Sequence, residues 1–277
     1  MIKRVLKKQL KVLRGSYAKA FHSFSPDDLL RQLQQLGLAH GDVVLVHSSF
    51  DAFRGFTGKP SDVIDALQKA IGPDGTLLMP TLPFTGTAVE YVRQSPVFDV
   101  TRTPSRMGLI TELFRRSPGV VRSVHPTHPV ALWGKDAGLM ASGHHRAGTP
   151  CGKGTPFASL LERNGKILLL GADIDSLTFY HWIEEAIEPR LPLSPFTQQF
   201  FDLTSKQEDG SMARTQTRLF EPAVSRRRNL QKLLPELKRL GAWRQRRIGA
   251  LVMTLLYAKD VYGAVVGMLD RGIYCYD

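Results

Sequence analysis

Cysteine is nearly absent: Cys151 and Cys275 are the only two in 277 residues, and they stand far apart. Two isolated thiols build neither a disulfide framework nor a zinc finger, so a reducing compartment and no bound metal are expected. Long apolar runs are missing as well. A bilayer span needs about 20 apolar residues, and the nearest approach, Ile248 to Leu269, is interrupted by Lys259 and Asp260. That stretch reads as buried core. The first residues, MIKRVLKKQL, carry charge throughout and lack the apolar centre of a secretory signal. A cytoplasmic location is expected. Three familiar signatures are also missing: a Gly-x-x-x-x-Gly-Lys-Ser/Thr loop, a Gly-x-Gly-x-x-Gly turn after a strand, and a Gly-x-Ser-x-Gly elbow. Their absence argues against a P-loop NTPase, a Rossmann dehydrogenase and an α/β-hydrolase. Acid is scarce too: 25 Asp and Glu face 37 Lys and Arg, for a net charge of +12. A basic chain meets anions, whether nucleic acid, acidic lipid or a phosphorylated cofactor.

The positive charge concentrates in two places. In residues 1–22, Ile2, Val5, Leu6, Leu10 and Leu13 fall at helical spacing among Lys and Arg. This predicts a basic amphipathic arm, with either peripheral contact to an anionic membrane through residues 1–20 or packing against the domain. The second concentration runs from Arg226 to Arg247. There Leu230, Leu233, Leu234, Leu237 and Leu240 interleave at helical spacing, and no nucleic-acid-binding motif accompanies them. A nucleic-acid partner is therefore not expected.

Residues 23–277 read as one α/β domain with a central sheet flanked by helices. Ser25-Pro26-Asp27-Asp28 is a helix start, followed by Leu29, Leu30, Leu33 and Leu36. Val43 to Val46 reads as a buried strand ending at His47-Ser48-Ser49-Phe50. Ser61 is read as the cap of a second helix, and Thr76 to Met79 as a second strand stopped by Pro80. Lys166 to Leu170 makes a third strand, ending at Gly171. Strands alternating with helices place ligands where strands end.

Four local features bear on chemistry. Beyond Gly171, Asp175 or Ser176 is read as a helix cap, and His181 and Glu184 then share one helical face. A carboxylate there fixes an imidazole's tautomer and makes it a general base; a surface pair would have the same spacing. Arg122-Ser123-Val124-His125-Pro126-Thr127-His128-Pro129 reads as an extended loop lining a pocket, with Arg122 available to an anion. The turn Thr103 to Gly108, with Ser105 and Met107, leads into a helix over 109–116 whose start suits an anion. His144-His145 is the remaining histidine pair, and no metal-ligand spacing accompanies it.

Taken in order, these segments resemble the aminoglycoside 3-N-acetyltransferase family. The resemblance is carried by Val46-His47-Ser48-Ser49-Phe50, Gly75 to Thr81, Phe98-Asp99 through Gly108, Arg122 to Pro126, and Gly154-Thr155-Pro156. It continues in Leu169 to Ala172 with Asp175, Thr178, His181 and Glu184, and ends in Arg247-Ile248-Gly249-Ala250. It implies that family's own α/β fold, with a mixed central sheet, and direct acetyl transfer from acetyl-coenzyme A to an amine in a ternary complex. His181 would be the base, oriented by Glu184, with Asp175 alongside. His47, Ser48, Ser49, Phe50, Thr81, Ser105, Met107, Arg122, Ser123 and His125 would surround the coenzyme, and Ser48 and Thr81 are read as oxyanion donors. One departure stands out. Where members that modify aminoglycosides carry an acidic, aromatic segment, this chain reads Phe200-Phe201-Asp202-Leu203-Thr204-Ser205-Lys206. Its ending, Gly272 to Tyr276, looks more like branches associated with surface polysaccharides. An anionic or neutral amino sugar is the expected acceptor, with true aminoglycoside modification, an antibiotic-resistance activity, as the alternative. The sequence leaves the oligomeric state open, a dimer included.

Overall fold

The computed structural model describes residues 23–277. The basic arm expected over residues 1–22 lies outside the described residues. The elements in chain order are α1 (Pro26–Leu36), β1 (Val43–Ser48), α2 (Pro60–Ile71), β2 (Thr76–Pro80), α3 (Ala88–Val92), β3 (Phe98–Asp99), α4 (Leu109–Phe114), β4 (Val121–Arg122), β5 (Val130–Gly134) and α5 (Ala137–Ala141). They continue with α6 (Pro156–Glu162), β6 (Lys166–Leu170), α7 (Phe179–Ala186), β7 (Phe201–Lys206), β8 (Met212–Thr217), α8 (Pro222–Arg227), α9 (Leu234–Arg239), β9 (Arg244–Ile248), β10 (Leu251–Tyr257) and α10 (Ala258–Leu269).

Seven strands form a mixed sheet in the order β4-β5-β2-β1-β6-β10-β9. Its centre, β2-β1-β6, is parallel, and the flanking pairs are antiparallel. The apolar runs of β1, β2 and β6 reflect burial on both faces. Side chains alternate between two cores. Val44, Val46, Leu168 and Leu170 pack with α1, α2 and α4, whereas Leu45, Ile167 and Leu169 pack with α6, α7, α9 and α10. A second, three-stranded sheet, β3-β7-β8, was not foreseen from the sequence.

Helix α1 begins at the expected cap. Ser25 Oγ accepts from Asp28 N at 3.2 Å, and the Asp28 carboxylate accepts from Ser25 N at 2.8 Å. The cap read at Ser61 is corrected: Lys59 precedes α2, Pro60 occupies its first turn, and Asp62 accepts from Lys59 N at 2.7 Å. Gly171 closes β6 with φ of +65°, and a Cβ built there would lie 2.2 Å from Ala52 Cβ. Glycine therefore lets the chain turn tightly out of the sheet toward α7.

Candidate active site

The carboxyl ends of β1, β2 and β6 open onto a cleft of about 190 Å³, whose walls include His47, Ser48, Met107, Ala172 and Thr178. Beyond Gly171 the chain makes a short 3₁₀ turn, Ile174–Ser176, capped by Asp173, whose side chain accepts from Asp175 N. The expected cap at Asp175 or Ser176 is thus replaced by Asp173 for the turn and Thr178 for α7. Asp175 is exposed and accepts from Gln231 Nε2 at 2.7 Å.

His181 and Glu184 meet on α7 as their spacing requires. His181 Nδ1 lies 3.1 Å from Glu184 Oε2. Glu184 is fully buried, while the His181 side chain retains 19% of its exposure. Burial alone would raise the Glu184 carboxyl. The His181 hydrogen bond and the Arg228 charge outweigh it and hold the group below its usual range, so it is ionised. An ionised carboxylate only accepts, so Nδ1 carries the imidazole proton and Nε2 is left as the free base. Burial, then Arg228, push His181 below the ordinary imidazole range against the opposing pull of Glu184. The ring is therefore neutral near pH 7.

A second cavity, of about 130 Å³, lies against His181; its walls include Phe84, Thr87, His128, Phe220 and Arg228. Phe220 covers the His181 ring at 4.4 Å between centroids, and His128 meets it edge-on at 5.8 Å. His47 sits near enough to feel the charge of His181. Burial and that neighbour push it down to about 4, so it too is neutral. The arrangement puts a neutral imidazole on the wall of a cavity that also carries Phe84, His128 and Phe220.

Several expected cleft residues are spoken for elsewhere. Thr81 is fully buried, and its hydroxyl donates to Pro129 O at 2.9 Å, so it has no proton left for an oxyanion. Arg122 serves as a strut between segments. Its Nε donates to Thr81 Oγ1, and its terminal nitrogens donate to the carbonyls of Thr81, Val100 and Thr103. Burial and neighbouring Arg115 bring its pKa down to about 9. Ser123 and His125 are fully buried; Ser123 Oγ accepts from Val130 N, and His125 Nδ1 accepts from Thr127 N and His128 N. The Thr103–Gly108 turn already holds an anion: Ser105 N donates to Glu112 of α4 at 2.7 Å. Helix α4 ends at Phe114, earlier than expected. Ser49 and Phe50 follow β1, and Phe50 stacks on Phe53, away from His181.

The sequence reading missed Arg228, Phe220 and Tyr276. Arg228 had been counted within a basic stretch, yet Nε and Nη2 grip Glu184 at 3.0 and 2.8 Å. Its partner is 44 residues away, beyond any local pattern. Tyr276, whose hydroxyl donates to Glu184 Oε1, had no local signal at all. Among the described residues, no cluster of three or more His, Cys, Asp or Glu could hold a metal ion. No helix there is long and apolar enough to cross a membrane.

The imidazole oriented by a buried carboxylate lies one helical turn from Thr178, a wall of the strand-end cleft. The model of the family described as aminoglycoside 3-N-acetyltransferase matches residues 45–270, and the chain belongs to that family. The SPbeta prophage-derived aminoglycoside N(3')-acetyltransferase-like protein YokD of Bacillus subtilis (strain 168) is 34% identical over 175 residues. That match takes in 57% of this chain and 64% of YokD, so the chain spans under two thirds of that relative's length. Among solved structures, the aminoglycoside acetyltransferase AAC(3)-IVa in complex with a gentamicin matches with a TM-score of 0.74 and 26% identity. The match covers 90% of each chain. AAC-IIIb in a binary complex with CoASH matches with a TM-score of 0.76 and 24% identity, over 92% of this chain and 99% of that one, a likeness of fold.

Proposed function

We propose that this protein moves an acetyl group from acetyl-coenzyme A to the amine of an amino sugar, with His181 as general base. The observation that carries this reading is the His181–Glu184 pair with Nε2 free beside a cavity. The amine attacks the thioester carbonyl and Nε2 takes its proton. The C–S bond then breaks and the coenzyme thiolate takes the proton, giving an amide and a free thiol. A neutral imidazole suits the step, because an ammonium is inert until it loses a proton.

The residues present suit the two substrates. The cleft at His47, Ser48 and Met107 is narrow and mixes apolar with hydroxyl-bearing walls, which fits the thioester end of a pantetheine arm. His47 Nε2 is buried without a hydrogen-bond partner. Ser48, at the end of β1, is the side chain read as the oxyanion donor, since the Thr81 hydroxyl already donates to Pro129 O.

The acceptor is read as neutral or anionic. Among the described residues, the only charged side chain lining the cavity at His181 is a cation, Arg228, because Glu184 lies buried behind the ring. A polycationic aminoglycoside calls for carboxylates in that position. The relative bound to gentamicin supports the alternative acceptor class. The test is free-thiol release from acetyl-coenzyme A across a panel running from aminoglycosides to anionic amino sugars. Transfer to the anionic or neutral acceptors is expected to exceed transfer to gentamicin, and the reverse order would overturn the acceptor reading. His181→Ala is expected to lower kcat by roughly 10²–10⁴-fold while sparing coenzyme affinity. Normal turnover would remove His181 from its role.

A further inference from the structure

Residues 275–277 lie against the segment after α8 as a short antiparallel strap. Arg228 and Tyr276 form its bridge. Asn229 N donates to Cys275 O and Asp277 N to Arg227 O, both at 2.8 Å. Side chains fasten the strap: Asn229 Nδ2 donates to the Asp277 carboxylate at 2.9 Å, and Lys232 Nζ lies 2.8 Å from it. This pairing sets Tyr276 beside Arg228 over α7. The Cys275 thiol meets the Tyr180 hydroxyl, one turn before Glu184 on the same helix. The strap therefore runs along the buried face of α7, behind the His181 ring.

The Glu184 carboxylate has room for about four donors, and four are present. Oε2 takes His181 Nδ1 and Arg228 Nη2; Oε1 takes Arg228 Nε and the Tyr276 hydroxyl. Burial and the Glu184 charge push the Tyr276 phenol well above its usual range, so it stays a donor. With every lone pair taken and no exposure, the carboxylate cannot turn without breaking a bond.

We propose that Tyr276 is a positioning residue for acyl transfer: its hydroxyl, delivered by the strap, fixes Glu184 and through it the direction of His181. The inference rests on the reading of His181 as the base. It reaches beyond the paired His and Glu to a residue 92 positions from Glu184. Among the described residues, four charged or titratable side chains face His181: Glu184 from α7 itself, Arg228 after α8, His47 from β1 and His128 from the loop before β5. Of these, Tyr276 touches Glu184. A donor on Glu184 draws off part of its negative charge, so removing the hydroxyl leaves more of that charge to stabilise the imidazolium.

The test is Tyr276→Phe, read in two ways. The His181 ring is titrated by NMR on histidine-labelled protein, its resonance assigned by loss in His181→Gln. Its midpoint is expected to rise by about half a pH unit, and the acid limb of the kcat profile to move with it. Turnover is expected to fall about fivefold to tenfold with KM for both substrates nearly unchanged. A superimposable titration and pH profile overturns the proposal, even if the variant melts earlier, because a merely structural contact would move only the melt. Replacing Tyr276 with 3-fluorotyrosine keeps the shape and strengthens the donor, and its shift is expected in the opposite direction. This variant decides the matter if Tyr276→Phe folds poorly. If the wild-type protein acetylates no amine, the acyltransfer reading falls, while the NMR titration still decides whether Tyr276 acts on His181 through Glu184.

Discussion

Two arginines show how differently one side chain is used. Arg228 neutralises a buried carboxylate beside His181, and Arg122 ties three backbone carbonyls and a threonine into one corner. Arg122→Lys keeps the charge and loses the fork that reaches four acceptors. Urea denaturation is expected to show a loss of about 2–3 kcal/mol, with no change in the pH profile of transfer. At His181 the direction of the shift fixes the sign of the pH response. As the proposed base the imidazole works unprotonated, and its pKa lies below the ordinary value, so kcat is expected to be flat at neutral pH. It should fall only as pH drops below about 6.5. An acid limb centred above that value would contradict the depressed pKa. The His181–Glu184 contact was readable because three-residue spacing on a helix leaves little freedom. Thr81 and Arg122 were misread because a sequence shows that a polar group is present, not that a carbonyl already holds it.

At the scale of elements, legibility followed burial. Strands β1, β2 and β6 are covered on both faces, and their apolar runs gave their positions to within a few residues. The two-residue strands β3 and β4 carry no pattern long enough to read. The β7–β8 hairpin did leave one signal, the Asp209-Gly210 turn, with Gly210 at φ +85°; the burial that alternates along Met212–Thr217 does not follow residue polarity, since Met212 is exposed and Thr215 and Thr217 are buried. The turn at Gly171 leads from β6 toward α7, which carries His181, and its strain is local. Gly171→Ala forces an L residue into positive φ and a Cβ against Ala52. The expected cost is about 1–3 kcal/mol, read as a lower thermal midpoint, together with reduced transfer because Ala172 and Thr178 of the cleft wall follow the same turn. An Ala variant as stable and as active as wild type would show that the turn tolerates a side chain.

Across the whole molecule, part of the basic excess is paired within the fold. In the 226–247 stretch Arg228 pairs with buried Glu184, and exposed Arg239 with Glu236, while Arg246 donates at the surface to neutral Gln32 and Gln35. Leu230, Leu233 and Leu237 bury the opposite side. Net charge alone therefore overstated the outward pull on nucleic acid. Histidine sets a second global property. Burial holds His47 and His144 at about 4, and His125 and His128 well below the ordinary value. The unfolded chain takes up these protons near pH 6.5, whereas the folded chain resists. Stability is thus full above that pH and is lost as pH falls toward 4. Urea midpoints measured at about pH 7.5, 5.5 and 4.5 are expected to decrease in that order; a constant midpoint would mean that these imidazoles take up protons in the fold as readily as in the unfolded chain.

The central strand pairing has a kinetic consequence. Val44 of β1 lies beside Lys166 of β6, and β6 in turn waits for Met253 of β10. Closing such long loops loses chain entropy before any contact rewards it, which slows folding. The strand ends that bear Ser48 and Gly171 come together only once those distant partners have met. A chain still lacking them has α7 without its cleft, so catalytic competence should emerge late in refolding, after most of the helical signal has returned.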